Sequence, residues 1–267
     1  MTGLPGKVEA LLEHLLERVD AAAPGWLDGL YIIGSLALED FHTTKSDIDF
    51  VGSTTRDLTS VEVGLLMDAY TELRAAHTFT LDGLFIPTSH LAEPPMPEMP
   101  VATCDAQGFS VAPSFLVNPV TWLSLATARI VVRGVDPTPW GDDAVTAQWC
   151  RHNLATYWRN LARSLRSGFL EPDPASRHSS DVFAWLVLGP PRLHCTITTG
   201  SIISKTSAAG YASQMFDLDW IDVVAAARAA RLGQIETVTA AQMLTGCDFV
   251  DMVIDDAVDG VDRSNIG

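Results

Sequence analysis

The feature that most constrains this chain is a pair of short motifs separated by eleven residues. One apolar run ends in Gly34-Ser35, and a second begins with Asp47-Ile48-Asp49. Because side chains alternate along a strand, Asp47 and Asp49 are predicted to share a face, where two carboxylates need a cation between them. Gly34 permits close backbone approach, and Ser35 offers a hydroxyl at a predicted helix start. Together these are the parts of a phosphoryl- or nucleotidyl-transfer site.

The segment resembles the nucleotidyltransferase superfamily that includes DNA polymerase β and the antibiotic nucleotidyltransferases. The shared signature is a hydrophobic residue before Gly-Ser or Gly-Gly, a short connection, and Asp-x-Asp between hydrophobic residues. The resemblance implies that Asp47 and Asp49 bind Mg²⁺, and that Gly34, Ser35 and Ser46 contact the nucleotide phosphates. The structural alternative is a Gly-Ser turn followed by a surface strand whose acidic residues face water.

Composition narrows the class of protein. The chain has 267 residues, and 47% of them are hydrophobic, which is enough apolar material for one large or two ordinary domains. Its net charge is −16. Nucleic-acid binding needs Lys and Arg to neutralise phosphates, so the acidic balance argues against nucleic acid as a partner. The same charge would attract a small cationic molecule, although an acidic surface also serves solubility alone. We expect a monomer.

Neither a membrane protein nor a disulfide-stabilised protein is predicted. No apolar stretch approaches the roughly 20 residues that a membrane span needs, and residues 1–7 lack the apolar core of a signal peptide. The four cysteines are far apart and form no C-x-x-C pair. They are predicted to be buried, reduced thiols of a cytoplasmic protein rather than disulfides or a zinc site.

The periodicity of the chain changes near residue 143, which predicts an α+β fold with a nucleotidyltransferase domain at 1–143 and a helical domain at 144–267. The proline-rich stretch 92–100 is predicted to be an exposed loop. The predicted elements of the first domain are helices 7–20, 61–76 and 118–127 and strands 29–34, 47–53, 79–87 and 130–132. The predicted helices of the second domain are 144–166, 179–197, 206–215, 219–232 and 239–257.

Asp82 lies in an otherwise apolar predicted strand, and a buried carboxylate needs a partner or a metal ion. In the nucleotidyltransferase family a third carboxylate follows the Asp-x-Asp on a neighbouring strand, where it binds metal, acts as general base toward the acceptor hydroxyl, or does both. Asp82 matches that position by order and context, which implies the same roles for it. The structural alternative is an edge-strand carboxylate that faces water.

The second domain resembles the aminoglycoside adenylyltransferases that modify the 3″ position of streptomycin and the 9 position of spectinomycin. Their helical domain carries an Arg on one helix, then Thr-Gly-x-Ile, then a Lys before a short helix. Arg192, Thr199-Gly200-Ser201-Ile202 and Lys205 keep that order. The resemblance implies that Arg192 and Lys205 contact the ATP phosphates as the domain closes over the ATP and acceptor. Their structural alternatives are an ion pair for Arg192 and a solvated side chain for Lys205.

Some positions depart from the family's pattern. Asp82 is one methylene shorter than the usual Glu, and Arg231 replaces an expected aromatic residue. The family's drug-binding tryptophans and acids cannot be matched one for one. Asp181 and Trp185, four residues apart on a predicted helix, could supply an anion and an aromatic wall for a cationic sugar, although Trp185 also fits a core position. His178 and His194 are predicted to be structural.

The resemblance implies an adenylyltransferase that uses ATP and two Mg²⁺ ions, held by Asp47, Asp49 and Asp82, to modify an aminoglycoside or aminocyclitol hydroxyl. Two alternatives stay open. One is transfer of AMP to another small metabolite, to a natural product or to a protein side chain. The length of this chain disfavours the last of these, because the protein-modifying nucleotidyltransferases are generally shorter. The other is a nucleotide sensor without activity, which the presence of all three carboxylates disfavours.

Overall fold

The computed structural model describes residues 3–168 and 176–259. The chain divides into two compact units, 1–142 and 143–267. Within the described residues, the first unit holds a six-stranded sheet with helices, and the second is a helical bundle with a two-stranded sheet. The predicted α+β fold class is therefore confirmed.

The sheet of the first unit is mixed. Its strands are β1 (Leu27–Ile32), β2 (Ile48–Thr54), β3 (Leu81–Pro87), β4 (Pro100–Cys104), β5 (Phe109–Pro113) and β6 (Ile130–Arg133). They lie in the order β5-β4-β3-β2-β1-β6. β2 and β3 are parallel, and the other neighbouring pairs are antiparallel. The parallel pair brings the two carboxylate-bearing strands side by side in the centre of the sheet.

The helices of this unit have clear start signals. They are α1 (Gly6–Ala22), α2 (Gly34–Ala37), α3 (Ser60–Ala76) and α4 (Pro119–Thr127). A capping box starts α3, because Thr59 and Glu62 each accept a hydrogen bond from the other's backbone N–H. Asn118 caps α4, with Pro119 at the first helical position.

Alternation along the strands sends side chains to two separate cores. One core packs α1 and α3 against the sheet. The core on the opposite face contains Val51, Leu84 and Trp122 of α4. Residues two apart on a strand point the same way, so Asp49 shares a face with Val51, and Asp82 with Leu84. Both carboxylates thus lie at the end of the sheet face that α4 covers.

Most predicted elements of this unit are present, but the β4–β5 hairpin was missed. Its strands carry Pro100 and Pro113 at their outer ends, and β5 exposes four of its five residues, so neither strand shows an apolar alternation. The predicted loop at 92–100 is largely exposed and irregular, except that its last residue begins β4. The first strand ends before Gly34, which belongs to α2 instead.

The second unit is mainly helical, as predicted. Its helices are α5 (Asp143–Asn153), α6 (Arg159–Gly168), α7 (Ser180–Thr199), α8 (Lys205–Met215), α9 (Ile221–Arg231) and α10 (Ala240–Asp259). The π-helical segment Leu154–Trp158 joins α5 to α6. The expectation of helix throughout was wrong at β7 (Arg177–Ser179) and β8 (Thr237–Thr239), which pair with each other. Three-residue strands are too short to show a period of two.

α7 lies at the centre of this unit, where it contacts α5, α8, α9 and α10. Pro190 and Pro191 lie inside it and are buried. A side chain at Gly189 would overlap the indole ring of Trp158, so glycine is needed for this contact. The helix ends at Gly200, which has a left-handed conformation. Within 3–168 and 176–259, no helix combines the length and apolarity that a membrane crossing requires.

Candidate active site

Gly34 and Asp49 are in direct contact at the turn after β1. Gly34 has φ +64°, a conformation that favours glycine, and a Cβ there would lie 2.6 Å from Asp49 Cγ and overlap Oδ2. The Ile33 N–H donates to the Asp49 carbonyl at 3.0 Å, which extends the β1–β2 ladder to this point. The Gly-Ser turn and the Asp-x-Asp motif therefore form one local structure, as the sequence spacing predicts.

The register of the parallel strands places Asp49 opposite Asp82. Paired residues on neighbouring strands point to the same face, so these two carboxylates are neighbours. Asp47 precedes β2 and lies two residues before Asp49, with an exposed side chain. All three predicted carboxylates thus belong to one end of the β2–β3 pair.

The environment of Asp82 disfavours its charge. Burial raises the pKa of its carboxyl above the ordinary value, and the charges of Asp47 and Asp105 raise it further. A raised pKa makes a carboxylate a stronger base at neutral pH and makes a nearby cation favourable.

The carboxylates do not form a metal centre by themselves. Within the described ranges, no group of three His, Cys, Asp or Glu side chains has an arrangement that could hold a metal ion. Mg²⁺ is nevertheless commonly bound by one or two carboxylates, with waters and substrate phosphates completing its coordination. Hard oxygen donors from Asp49 and Asp82 suit that mode. The use of Asp47, Asp49 and Asp82 as joint ligands stays a prediction.

The hydroxyl of Ser35 is a buried polar group beside the carboxylates. Its oxygen is buried and has no hydrogen-bond partner among the residues that the structure describes. Buried polar atoms in proteins are normally hydrogen-bonded, and exceptions call for a missing partner. A phosphate oxygen would provide an acceptor for this hydroxyl.

Ser46 hydrogen-bonds within the connection that joins the two motifs. Its Oγ accepts from the His42 N–H at 3.1 Å, and its own N–H donates to the His42 carbonyl at 2.9 Å. The Asp40 N–H donates to the Ser35 carbonyl at 2.8 Å. Ser46 therefore closes the connection between the two motifs, and its contact with the nucleotide stays a prediction.

Two residues near Asp82 were missed from the sequence, Tyr70 on α3 and Asp105 in the β4–β5 turn. The charge of Asp105 raises the pKa of the Asp82 carboxyl. The Tyr70 hydroxyl contacts the carbonyls of Leu81 and Asp105. The Asp-x-x-Gly sequence at 105–108 is a turn signal that could have predicted the hairpin. Nothing local to Tyr70 predicts its partners.

Arg192 and Lys205 both lie in the second unit, Arg192 on α7 and Lys205 at the start of α8. Arg192 Nε donates to the carbonyl of Ile203 at 3.0 Å, which ties α7 to the loop before α8. Ser204 caps α8, and Lys205 is the first residue of that helix. Arg192 therefore contacts this loop at a residue two positions before Lys205. Their contact with ATP is not tested by this arrangement.

Asp181 and Trp185 lie on α7, one turn apart. Asp181 is exposed in the first turn of the helix, whereas Trp185 is half-buried against the core of the bundle. The ring of Trp185 lies 5.0 Å from that of Trp158 and 6.1 Å from that of Tyr157, measured between centroids. Trp185 is therefore part of an aromatic cluster, and its role toward a substrate stays a prediction.

The two histidines that are predicted to be structural have hydrogen-bonding partners. His194 is buried, with Nδ1 2.7 Å from the Tyr211 hydroxyl and Nε2 2.8 Å from an Asp256 carboxylate oxygen. His178 Nε2 lies 2.9 Å from the Ser176 hydroxyl. All four cysteines are buried free thiols, as predicted.

Comparison with known proteins gives a match in structure and none in sequence. No family model matches the chain, and no curated protein matches its sequence. Ten solved chains match its structure. One is the spectinomycin adenyltransferase AAD(9) from Enterococcus faecialis, solved with ATP and spectinomycin, with a TM-score of 0.66 and 13% identity. The match covers 92% of this chain and 99% of that chain, so this protein shares the fold of that adenyltransferase.

Proposed function

We propose that the protein is an ATP-dependent O-adenylyltransferase that transfers AMP to a hydroxyl of an aminoglycoside or aminocyclitol and releases pyrophosphate. The observation that carries this proposal is the apposition of Asp49 and Asp82 beside the Gly34-Ser35 turn. The likeness in fold to a spectinomycin adenyltransferase supports the reaction class, because it spans nearly the whole length of both chains. Fold alone does not determine activity, so the site residues carry the argument.

The site suits MgATP. The unpartnered Ser35 hydroxyl and the backbone of Gly34 would bind phosphate oxygens, with Ser46 supporting the connection that follows them. Asp47, Asp49 and Asp82 would hold two Mg²⁺ ions together with triphosphate oxygens. When bound, Mg²⁺ supplies positive charge that neutralises the triphosphate.

Asp82 is the general base in this proposal. Its carboxylate would accept the proton of the acceptor hydroxyl as that oxygen forms its bond to the α-phosphorus and the bond to pyrophosphate breaks. Burial and neighbouring charge raise the pKa of Asp82 in the protein without Mg²⁺, whereas bound Mg²⁺ would act in the opposite direction and keep the carboxylate ionised. The shorter side chain of Asp, compared with the Glu of the related enzymes, would require the acceptor to approach more closely.

The second unit would contribute charge and an acceptor surface. Arg192 and Lys205 would neutralise charge on the triphosphate and the leaving pyrophosphate. Asp181 and Trp185 would bind an ammonium group of the acceptor by charge and by cation–π contact. The net charge of −16 favours a cationic acceptor over an anionic one.

The decisive experiment measures pyrophosphate release from MgATP across a panel of aminoglycosides and aminocyclitols, with a no-acceptor control. Wild-type protein is expected to release pyrophosphate only with a suitable acceptor, and Asp47→Asn is expected to abolish release while the protein stays folded. Wild-type turnover by Asp47→Asn would disprove the reaction class.

A second outcome would revise only the acceptor. If no drug in the panel stimulates release but cell-extract metabolites or proteins become adenylylated from labelled ATP, the acceptor is another metabolite or a protein side chain. Mass spectrometry of the labelled product would identify its class.

A further inference from the structure

One buried hydroxyl joins the strand that carries Asp82 to the neighbouring hairpin. Tyr70 on α3 is 2% exposed. Its hydroxyl lies 3.1 Å from the carbonyl oxygen of Leu81 and 2.9 Å from that of Asp105. A phenol has one proton to donate, so the two carbonyls share a single donor.

These two carbonyls lie beside the backbone of Asp82, one in the same strand and one just after the neighbouring strand β4. Leu81 directly precedes Asp82 at the start of β3. Gly83 pairs with Cys104 in the antiparallel β3–β4 ladder, so the next position along brings Asp82 level with Asp105. The Tyr70 hydroxyl therefore sits where the β3–β4 ladder ends, beside the backbone of Asp82.

The turn at Asp105 is itself rigid. The Asp105 carboxylate accepts from the N–H groups of Gln107 at 2.7 Å and Gly108 at 3.1 Å. Asp105 and Gly108 also exchange backbone hydrogen bonds at 3.0 and 3.2 Å. Because the turn is closed by its own hydrogen bonds, the Tyr70 hydroxyl connects β3 to a well-ordered part of the backbone.

We propose that Tyr70 is a positioning residue for the transfer reaction, which holds the Asp82 backbone in place through the carbonyls of Leu81 and Asp105. This inference rests on the proposed adenylyltransferase function. Tyr70 touches no reacting atom and acts through the strand that Asp82 belongs to. Displacement of a reacting group by about 1 Å can cost on the order of 10²-fold in rate, so the loss of one hydroxyl can affect turnover at a distance.

The test is Tyr70→Phe, which keeps the ring and removes only the hydroxyl. With MgATP and an accepted acceptor, kcat is expected to fall by roughly 10- to 100-fold. The KM for ATP is expected to stay within about twofold, because binding energy for the nucleotide is not removed. A partly unfolded variant would also lower the apparent kcat at an unchanged KM, so kcat must be calculated per folded protein, with the folded fraction measured by circular dichroism at the assay temperature.

Tyr31→Phe is the matched control. Tyr31 is also 2% exposed, and its hydroxyl also donates to a backbone carbonyl, that of Val135, at 3.1 Å. It lies on β1 and does not contact β3 or the β4–β5 turn through that bond. Tyr31→Phe should lose a similar buried hydrogen bond while its kcat stays near the wild-type value.

Amide hydrogen exchange separates failure of this inference from failure of the proposed function. Exchange in segments 81–83 and 105–108 should rise in Tyr70→Phe and not in Tyr31→Phe, whatever reaction the protein catalyses. Unchanged exchange in those segments would overturn the inference. So would an unchanged kcat in Tyr70→Phe, or an equal loss of kcat in both variants.

Discussion

The carboxylate of Asp49 occupies the space that a side chain at Gly34 would need. The strand that carries Asp49 and the turn that carries Ser35 can therefore approach only because residue 34 is glycine. This contact joins the two halves of the motif, and it makes a substitution at Gly34 a test of the whole site.

Gly34→Ala should both destabilise the protein and abolish activity. The left-handed backbone costs an L-residue roughly 1–2 kcal/mol, and the new methyl would force Asp49 out of position. Thermal melting and pyrophosphate release would measure the two effects. Gly64→Ala on α3 is the control, because nothing lies within 4 Å of a Cβ there. That control should stabilise the helix by about 0.5–1 kcal/mol, and equal behaviour of the two variants would contradict the assigned contact.

Asp82→Asn should lower the turnover and raise the stability of the protein. Turnover should fall by at least the typical general-base contribution of about 10²–10⁴-fold. The apo protein should melt at a higher temperature at neutral pH, because burial and the charges of Asp47 and Asp105 disfavour the Asp82 carboxylate. Activity assays and differential scanning calorimetry would test both. A lower melting temperature would mean that Asp82 is stabilised by an interaction other than those described.

Arg192→Ala should reduce the rise in melting temperature that MgATP produces. A tenfold weaker nucleotide affinity removes about 1.4 kcal/mol of ligand-linked stability at saturating nucleotide. The comparison must use each variant's own apo melting temperature, since Arg192 also bonds to the Ile203 carbonyl. The exposed Arg228 on α9 supplies a control, and Arg228→Ala should show the wild-type shift. An unchanged shift in Arg192→Ala would remove this residue from the ATP site.

The stability of the first unit should fall as the pH drops through the histidine range. Burial and the neighbouring His14 lower the pKa of His77, and His14 Nδ1 lies 3.0 Å from His77 Nε2. Arg18 donates to the other nitrogen of His14, so His77 must be neutral to accept from His14. A group whose folded pKa is depressed contributes stability above its unfolded pKa and loses that contribution as the pH falls toward the folded value.

Urea midpoints measured between pH 8 and pH 5 would test this sign. His77→Gln should show a flatter dependence than wild type, because a neutral acceptor replaces the titrating one. His152 is exposed on α5, and His152→Gln should keep the wild-type dependence. An identical slope in wild type and His77→Gln would contradict the prediction.

The parts of the fold that rest on local periodicity could be predicted from the sequence. The strands β1, β2, β3 and β6 and the helices of the second unit follow from apolar spacing. The β4–β5 hairpin could not be recognised, because Pro100, Pro113 and an exposed strand hide its alternation. The β7–β8 pair is held by tertiary context alone.

The same division holds in the site. Asp47, Asp49 and Asp82 were identified from motif and order, and the structure places them at one end of two adjacent strands. The contribution of Asp105 depends on a strand pairing that no short window of sequence contains. The bond from Tyr70 to Leu81 and Asp105 depends on how α3 packs on the sheet, which spacing cannot reveal.

The two adjacent prolines of α7 make the helix that carries Arg192 dependent on its neighbours. Pro190 and Pro191 remove the donors that would bond to the carbonyls of Leu186 and Val187, and one interior proline costs a helix about 3 kcal/mol. A peptide of this sequence would therefore not hold a helix in water. We therefore expect the helical structure of α7 to depend on α5, α8, α9 and α10, which pack around it. A truncated chain that lacks α10 should then fail to hold Arg192 in place.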